Sequence, residues 1–104
     1  MEPKQWEMWY VNAIFEDDKT KSKPRPAIII VTGTGFVIGL KVTTKGPREN
    51  DYELEFWSEA GLSQKSYVRL DKTIKISSCD ILHKLGVVHP VDRLKLEYRM
   101  AALL

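Results

Sequence analysis

Lys23-Pro24-Arg25-Pro26-Ala27-Ile28-Ile29-Ile30-Val31 is the stretch on which the fold turns. Proline fixes φ and biases its predecessor towards extended geometry, so Pro24 and Pro26 hold Arg25 on a stiff, non-helical backbone. The apolar run that follows is rich in β-branched residues, short and closed by Thr32-Gly33. It reads as a strand from about Pro26 to Thr32, buried on both faces. A cation held rigidly at the mouth of a core strand suits a phosphate, and it is also the pattern of an ordinary loop-to-strand junction.

Working back from that strand, Glu16-Asp17-Asp18-Lys19-Thr20-Lys21-Ser22-Lys23 is a loop without an apolar residue, acidic at its start and basic as it nears Arg25. It serves either as a solvated connection or as a binding flap. Before it, Trp9, Tyr10, Val11, Ile14 and Phe15 mark a first strand over Glu7 to Phe15. Working forward, Gly33-Thr34-Gly35 is a turn, and Phe36 to Thr44 alternates. Phe36, Ile38, Leu40 and Val42 share one face; Lys41, Thr43 and Lys45 share the other. Lys45 to Asp51 is a loop, basic at its start. Tyr52 to Trp57 forms a fourth strand with Tyr52, Leu54 and Phe56 inward, and Ser58 to Gln64 turns. In Lys65 to Lys72, Val68 and Leu70 take one face while Tyr67, Arg69 and Asp71 take the other. Positions two apart on a strand lie about 6–7 Å apart, so Arg69 and Asp71 can meet one small anion together. Thr73-Ile74-Lys75-Ile76 continues or begins another strand.

The period then changes. Ser77-Ser78-Cys79-Asp80 offers capping groups to a short helix over Ile81 to Leu85, stopped by Gly86. His89-Pro90 opens a second helix, in which Val91, Leu94, Tyr98 and Ala101 predict the face that packs on the sheet. Asp92 and Arg99 complement its dipole. Strands first and helices last, without strand–helix alternation, argue against a parallel α/β unit. The expectation is a mainly β, strongly curved antiparallel barrel or half-open sheet with a helix packed across it.

A chain of 104 residues supports one core and one domain, over 1–104. Its formal net charge of +2 permits an anionic partner but is far from a histone-like density. With Cys79 the single cysteine, no internal disulfide forms and a reducing compartment is expected. No apolar stretch follows a basic start and none approaches the ~20 residues of a membrane span, so no signal peptide or membrane segment is expected and the cytoplasm is the expected location. Gly33-Thr34-Gly35 is not a phosphate loop. Cys79 and His83 lack a second pair of ligands, so neither a metal nor another cofactor is expected. What remains is Arg25, Thr43, Arg69 and Asp71, with Lys23, Lys41, Lys45 and Arg48 around them. Each alone reads as a solvated charge or ion-pair member. Together, two guanidinium forks, a hydroxyl and a carboxylate suit chemistry at a phosphodiester. Among Trp6, Trp9, Tyr10, Trp57 and Tyr67, one or two exposed rings could stack on unpaired bases.

These pieces resemble the MazF/PemK family of toxin endoribonucleases from bacterial toxin–antitoxin modules. The resemblance rests on Trp9-Tyr10, Arg25-Pro26-Ala27-Ile28-Ile29-Ile30, Lys41-Val42-Thr43-Thr44, Ala60-Gly61-Leu62 leading into Ser66-Tyr67-Val68-Arg69-Leu70-Asp71, and Leu85-Gly86 before the final helix. It runs nearly end to end and in order. It implies a compact SH3-like antiparallel barrel with a C-terminal helix packed on it, acting as a homodimer with RNA along or beside the dimer interface. It further implies metal-free cleavage of single-stranded RNA at short preferred sequences, the 2′-hydroxyl attacking the neighbouring phosphate to leave a cyclic phosphate and a free 5′-hydroxyl. On this resemblance Arg25, Thr43, Arg69 and Asp71 are the catalytic set. Arg25 stabilises charge on the phosphate, and Thr43 is the hydroxyl residue with Thr44 as its alternative, period 2 favouring Thr43. Arg69 and Asp71 match an acid–base pair used by some members. Lys23, Lys41, Thr44, Lys45, Arg48 and Tyr67 become the RNA-binding group. The family also implies an antitoxin whose acidic, disordered segment occupies the RNA groove. A non-catalytic toxin on the same barrel, either a gyrase poison or a degenerate RNA binder, is the competing expectation.

Overall fold

The computed structural model describes residues 2–13 and 23–103. The expected extension of the first strand through Ile14 and Phe15, and the charged loop over 16–22, lie outside the described residues. The elements are β1 (Glu7–Ala13), β2 (Lys23–Gly33), β3 (Phe36–Thr43), β4 (Asp51–Glu53), β5 (Tyr67–Ser77), a 3-10 turn (Ser78–Asp80), β6 (Ile81–Val87) and α1 (Pro90–Ala102). They form one antiparallel sheet in the order β4-β5-β3-β2-β1-β6.

The run Ile28-Ile29 divides as a strand buried on both faces requires. Ile28 joins Met8, Leu40, Val42, Leu54, Val68 and Leu96 in one core, under α1. Ile29 joins Trp9, Val11, Ala27, Val37 and Ile76 in a second core on the other side of the sheet. Pro24 and Pro26 lie beyond the last β2–β3 pair, Ala27–Lys41, where among the described residues β2 is paired with β1 alone. A missing N–H on that open side breaks no ladder. The segments expected as Lys65–Lys72 and Thr73–Ile76 are one strand, β5, with a register shift opposite Leu40 and Lys41.

Three expectations change. Ile81 to Leu85 is not helical; only Ser78–Asp80 turns, and Ile81–Val87 is β6. Its ladder with β1, through Val11–Ile81, Tyr10–His83 and Trp9–Lys84, gives β1 a second neighbour. That tertiary ladder outweighs a local capping signal. The expected inward face of α1 is the outward one: Leu94 is 69% and Tyr98 78% exposed, while Asp92 and Leu96 are fully buried. The reason is Asp92, whose Oδ1 accepts from the Tyr52 hydroxyl (2.5 Å) and the Glu55 N–H (3.0 Å), and whose Oδ2 accepts from the Phe56 N–H (2.9 Å). An ionised group so well supplied with donors sets the helix rotation against a weak apolar stripe. Finally, the fourth strand expected over Tyr52 to Trp57 is only Asp51–Glu53 and does not pair with β6, so the sheet takes the half-open form of the expectation and not that of a closed barrel. The turn around Ala60-Gly61 lies across β6 instead. A Cβ on Gly61 would stand 2.1 Å from the Leu85 carbonyl oxygen, and one on Gly86 2.6 Å from that of Ala60.

Candidate functional site

Two adjacent transverse rows run along the face that carries the second core. The inner row is Trp9, Ala27, Lys41, Arg69 and Asp51, on β1, β2, β3, β5 and β4. Two residues further along lies the outer row of Val11–Arg25 and Thr43–Tyr67–Glu53, in which Arg25 and Thr43 stand on facing strands just past the end of their ladder. Arg25, Thr43 and Tyr67 are all half-buried. Alternation along β2, β3 and β5 therefore delivers a guanidinium, a hydroxyl and a phenol ring to one end of one face. The Thr43 hydroxyl oxygen accepts from the Lys45 N–H at 3.1 Å, which closes the start of the following loop. Thr44 has left the strand and is exposed, as are Lys45 and Arg48.

Arg69 does not pair with Asp71. Its Nε donates to Asp51 Oδ1 at 3.2 Å and its Nη2 to the Lys45 carbonyl at 2.6 Å, with the side chain buried. Asp71 lies at the register shift, exposed, with the Asn50 amide 3.5 Å away. The bulge breaks the strict alternation that would have kept Asp71 beside Arg69. Asp71 stands four residues from Tyr67, roughly 13 Å along the strand, and Arg69 half that distance. Lys41, expected at the surface, is only 4% exposed, since it lies within the inner row between Ala27 and Arg69. Lys23 heads β2, and its side chain lies outside the described residues. Of the aromatic candidates, Trp6 and Trp9 are core, Tyr10 lies against the His83 ring at 5.2 Å, and Trp57 packs on the core. Tyr67 alone of the five stands in the outer row. No group of three or more His, Cys, Asp or Glu side chains among the described residues is arranged to hold a metal. No described helix is long and apolar enough to cross a membrane.

Sequence reasoning places Asp51 at the end of a loop and misses its role. The signal is present: if Tyr52 and Leu54 face one core, Asp51 must face the other side with Arg69. What alternation cannot supply is the neighbour relation between β4 and β5.

An open antiparallel sheet covered by a C-terminal helix, with guanidinium and hydroxyl groups gathered at one end of a face, defines a small mainly β domain with a polar strand-end site. The chain belongs to the PemK-like, MazF-like toxins of type II toxin–antitoxin systems, whose family model matches residues 4–104. Among solved structures, it is similar to the Mycobacterium tuberculosis toxin MazF-mt6, with a TM-score of 0.73 and 20% identity over 92% of this chain and 93% of that one. It is also similar to MazF from Deinococcus radiodurans, with a TM-score of 0.74 and 15% identity over 99% and 96%. A mycobacterial endoribonuclease in complex with its cognate antitoxin matches with a TM-score of 0.69 and 16% identity over 96% and 92%. At these identities the likeness is one of fold. None of the curated proteins matches the chain in sequence.

Proposed function

We infer that the protein is a toxin endoribonuclease. It cuts single-stranded RNA at preferred sequences, without a metal, by attack of a 2′-hydroxyl on the adjacent phosphate. The bond from phosphorus to the 5′-oxygen breaks, leaving a 2′,3′-cyclic phosphate and a 5′-hydroxyl. The observation that carries this reading is the placement of Arg25 and Thr43 level with each other, two residues past the Ala27–Lys41 pair. A phosphate seated there meets a guanidinium from one strand and a hydroxyl from the next. A planar fork fixed before substrate arrives stabilises the charge that grows on the phosphorane oxygens.

In this reading Arg25 supplies that stabilisation and Thr43 orients the phosphate. Arg69, buried beneath the following loop and paired with Asp51, frames the site rather than offering an exposed fork. Asp71, four residues along β5 from the row of Arg25 and Thr43, is out of hydrogen-bond reach of a phosphate seated there, so in this reading water takes the 2′-hydroxyl proton and water supplies the proton to the 5′-oxygen. Tyr67 offers a stacking surface, and Thr44, Lys45 and Arg48 follow the backbone from the exposed loop. The protein works in the cytoplasm as a homodimer and is neutralised by an antitoxin whose acidic segment covers these cations. Incubation of the purified protein with a long single-stranded RNA in EDTA tests the chemistry. Discrete fragments ending in cyclic phosphate, formed equally well with and without EDTA, are expected. Cleavage that stops in EDTA, or fragments bearing 5′-phosphates, would overturn it.

A further inference from the structure

The Asp51 side chain is wholly buried, at the first position of β4, and both of its oxygens are used. Oδ1 accepts from Arg69 Nε at 3.2 Å, and Oδ2 accepts from the Arg48 N–H at 2.8 Å. The backbone adds to this frame: the Asp51 N–H donates to the Arg48 carbonyl at 3.1 Å, and the Leu70 N–H to that of Asn50 at 3.0 Å. Arg69 reaches the same loop from below through the Lys45 carbonyl. Gly46 lies directly against the carboxylate, for a Cβ there would stand 2.7 Å from Oδ2 and 3.3 Å from the Tyr67 ring. One buried carboxylate thus anchors the guanidinium beneath the loop over 44–50 and the loop's own backbone. The exposed side chains of that loop include Thr44, Lys45 and Arg48.

The geometry points to Asp51 as a positioning residue for RNA. It touches no substrate. It holds Lys45 and Arg48 beside Tyr67 and Thr43, so that their charges track the phosphates of the bound strand without ordering the loop at binding. The inference rests on the endoribonuclease reading. Holding a loop in its bound geometry beforehand removes an entropic cost of association. A buried carboxylate supplied by one N–H and one guanidinium is an anchor an exposed ion pair cannot equal. Asparagine at 51 keeps the size, but its amide has no second acceptor oxygen for the two donors.

The test uses a short RNA methylated on its 2′-hydroxyls, which binds but cannot be cut, with affinity measured against salt concentration. Each phosphate that the protein ceases to neutralise lowers the slope of log affinity against log salt by about 0.7 on a single strand. Asp51→Asn is expected to weaken binding about tenfold or more, the worth of a charge-assisted hydrogen bond. Its salt slope should fall by about as much as in Lys45→Gln and Arg48→Gln added together, and combining either of those with Asp51→Asn should change little further. In cleavage of unmodified RNA, KM should rise with kcat nearly kept. A purely structural role would lower the melting temperature and leave affinity and salt slope of the folded protein unchanged; that result overturns the inference. Should Asp51→Asn not fold, Gly46→Ala displaces the same carboxylate and is read in the same way. If the wild-type protein neither binds nor cuts RNA, the ribonuclease reading itself falls. If it does both while the variants match it, only the role of Asp51 falls.

Discussion

A carboxylate in a β-sheet is an ordinary surface residue until its donors are counted. Glu7 illustrates this: its Oε1 accepts from the Trp9 indole N–H at 2.9 Å and the Lys4 N–H at 2.8 Å, and Lys84 lies 2.9 Å from Oε2. Burial alone would raise its carboxyl. The hydrogen bonds from Lys84, Trp9 and Lys4, with the charge of Lys84, outweigh burial and hold it below the ordinary value of 4.5. A carboxyl depressed in the folded state stabilises the fold above 4.5, and that contribution is lost as pH falls through the folded value. Chemical denaturation of wild type and Glu7→Gln should therefore differ most near neutral pH and converge in acid; a constant gap down to pH 2 would contradict the assignment. The face of Thr43 was legible from sequence because Ile38, Leu40 and Val42 fix the parity of its strand, whereas Arg25 precedes a run apolar on both faces and its side of the sheet follows from the pairing of β2 with β1. The separation of Arg69 from Asp71 was not legible, since it depends on a bulge that leaves no mark in the local alternation.

At the scale of elements, the fold is fastened by two close approaches. The Gly61–Gly86 approach brings the turn over 58–62 against β6 with carbonyl oxygens where a side chain would start, and Gly61 holds φ at +91°. Backbone cannot yield as a flexible side chain does, so Gly86→Ala should cost about 1–3 kcal/mol or more, read as a fall in melting temperature. An unchanged melting temperature would mean that the turn is free to move away. Asp92 is the second fastening. Asp92→Ala strands the Tyr52 hydroxyl and two backbone N–H groups, and should cost at least about 3 kcal/mol, lowering the melting temperature by more than ~10 °C. Burial, and then the Asp92 hydrogen bond, raise the Tyr52 hydroxyl well above its ordinary value of 10.0. Its contribution to stability is complete below that pH and declines above it. The helix itself was legible from His89-Pro90, and indeed His89 Nδ1 accepts from the Val91 N–H at 3.1 Å. Its rotation was not, because Asp92 reads as a dipole partner until the loop that meets it is in place. β6 was hidden for a related reason: its identity lies in its pairing with β1, not in its own residues.

For the whole molecule, strand order converts a scattered set of polar residues into a site. Residues from β2, β3, β4 and β5 meet because β3 lies between β2 and β5, and β4 pairs outside β5. The end-to-end succession of apolar segments made the mainly β class readable, and the open edge between β4 and β6 follows from the shortness of β4. With phosphoryl chemistry proposed at the end of the β2–β3 ladder, Arg25 is the residue on which the reaction depends most. The direct measurement compares wild type and Arg25→Ala on the same single-stranded RNA in EDTA, with circular dichroism confirming equal folding. Discrete cyclic-phosphate ends are predicted from wild type, with a loss of cleavage rate of at least roughly a hundredfold in the variant. Equal cleavage by a folded Arg25→Ala protein would contradict that role, and intact RNA with both proteins would favour a toxin that binds without cutting.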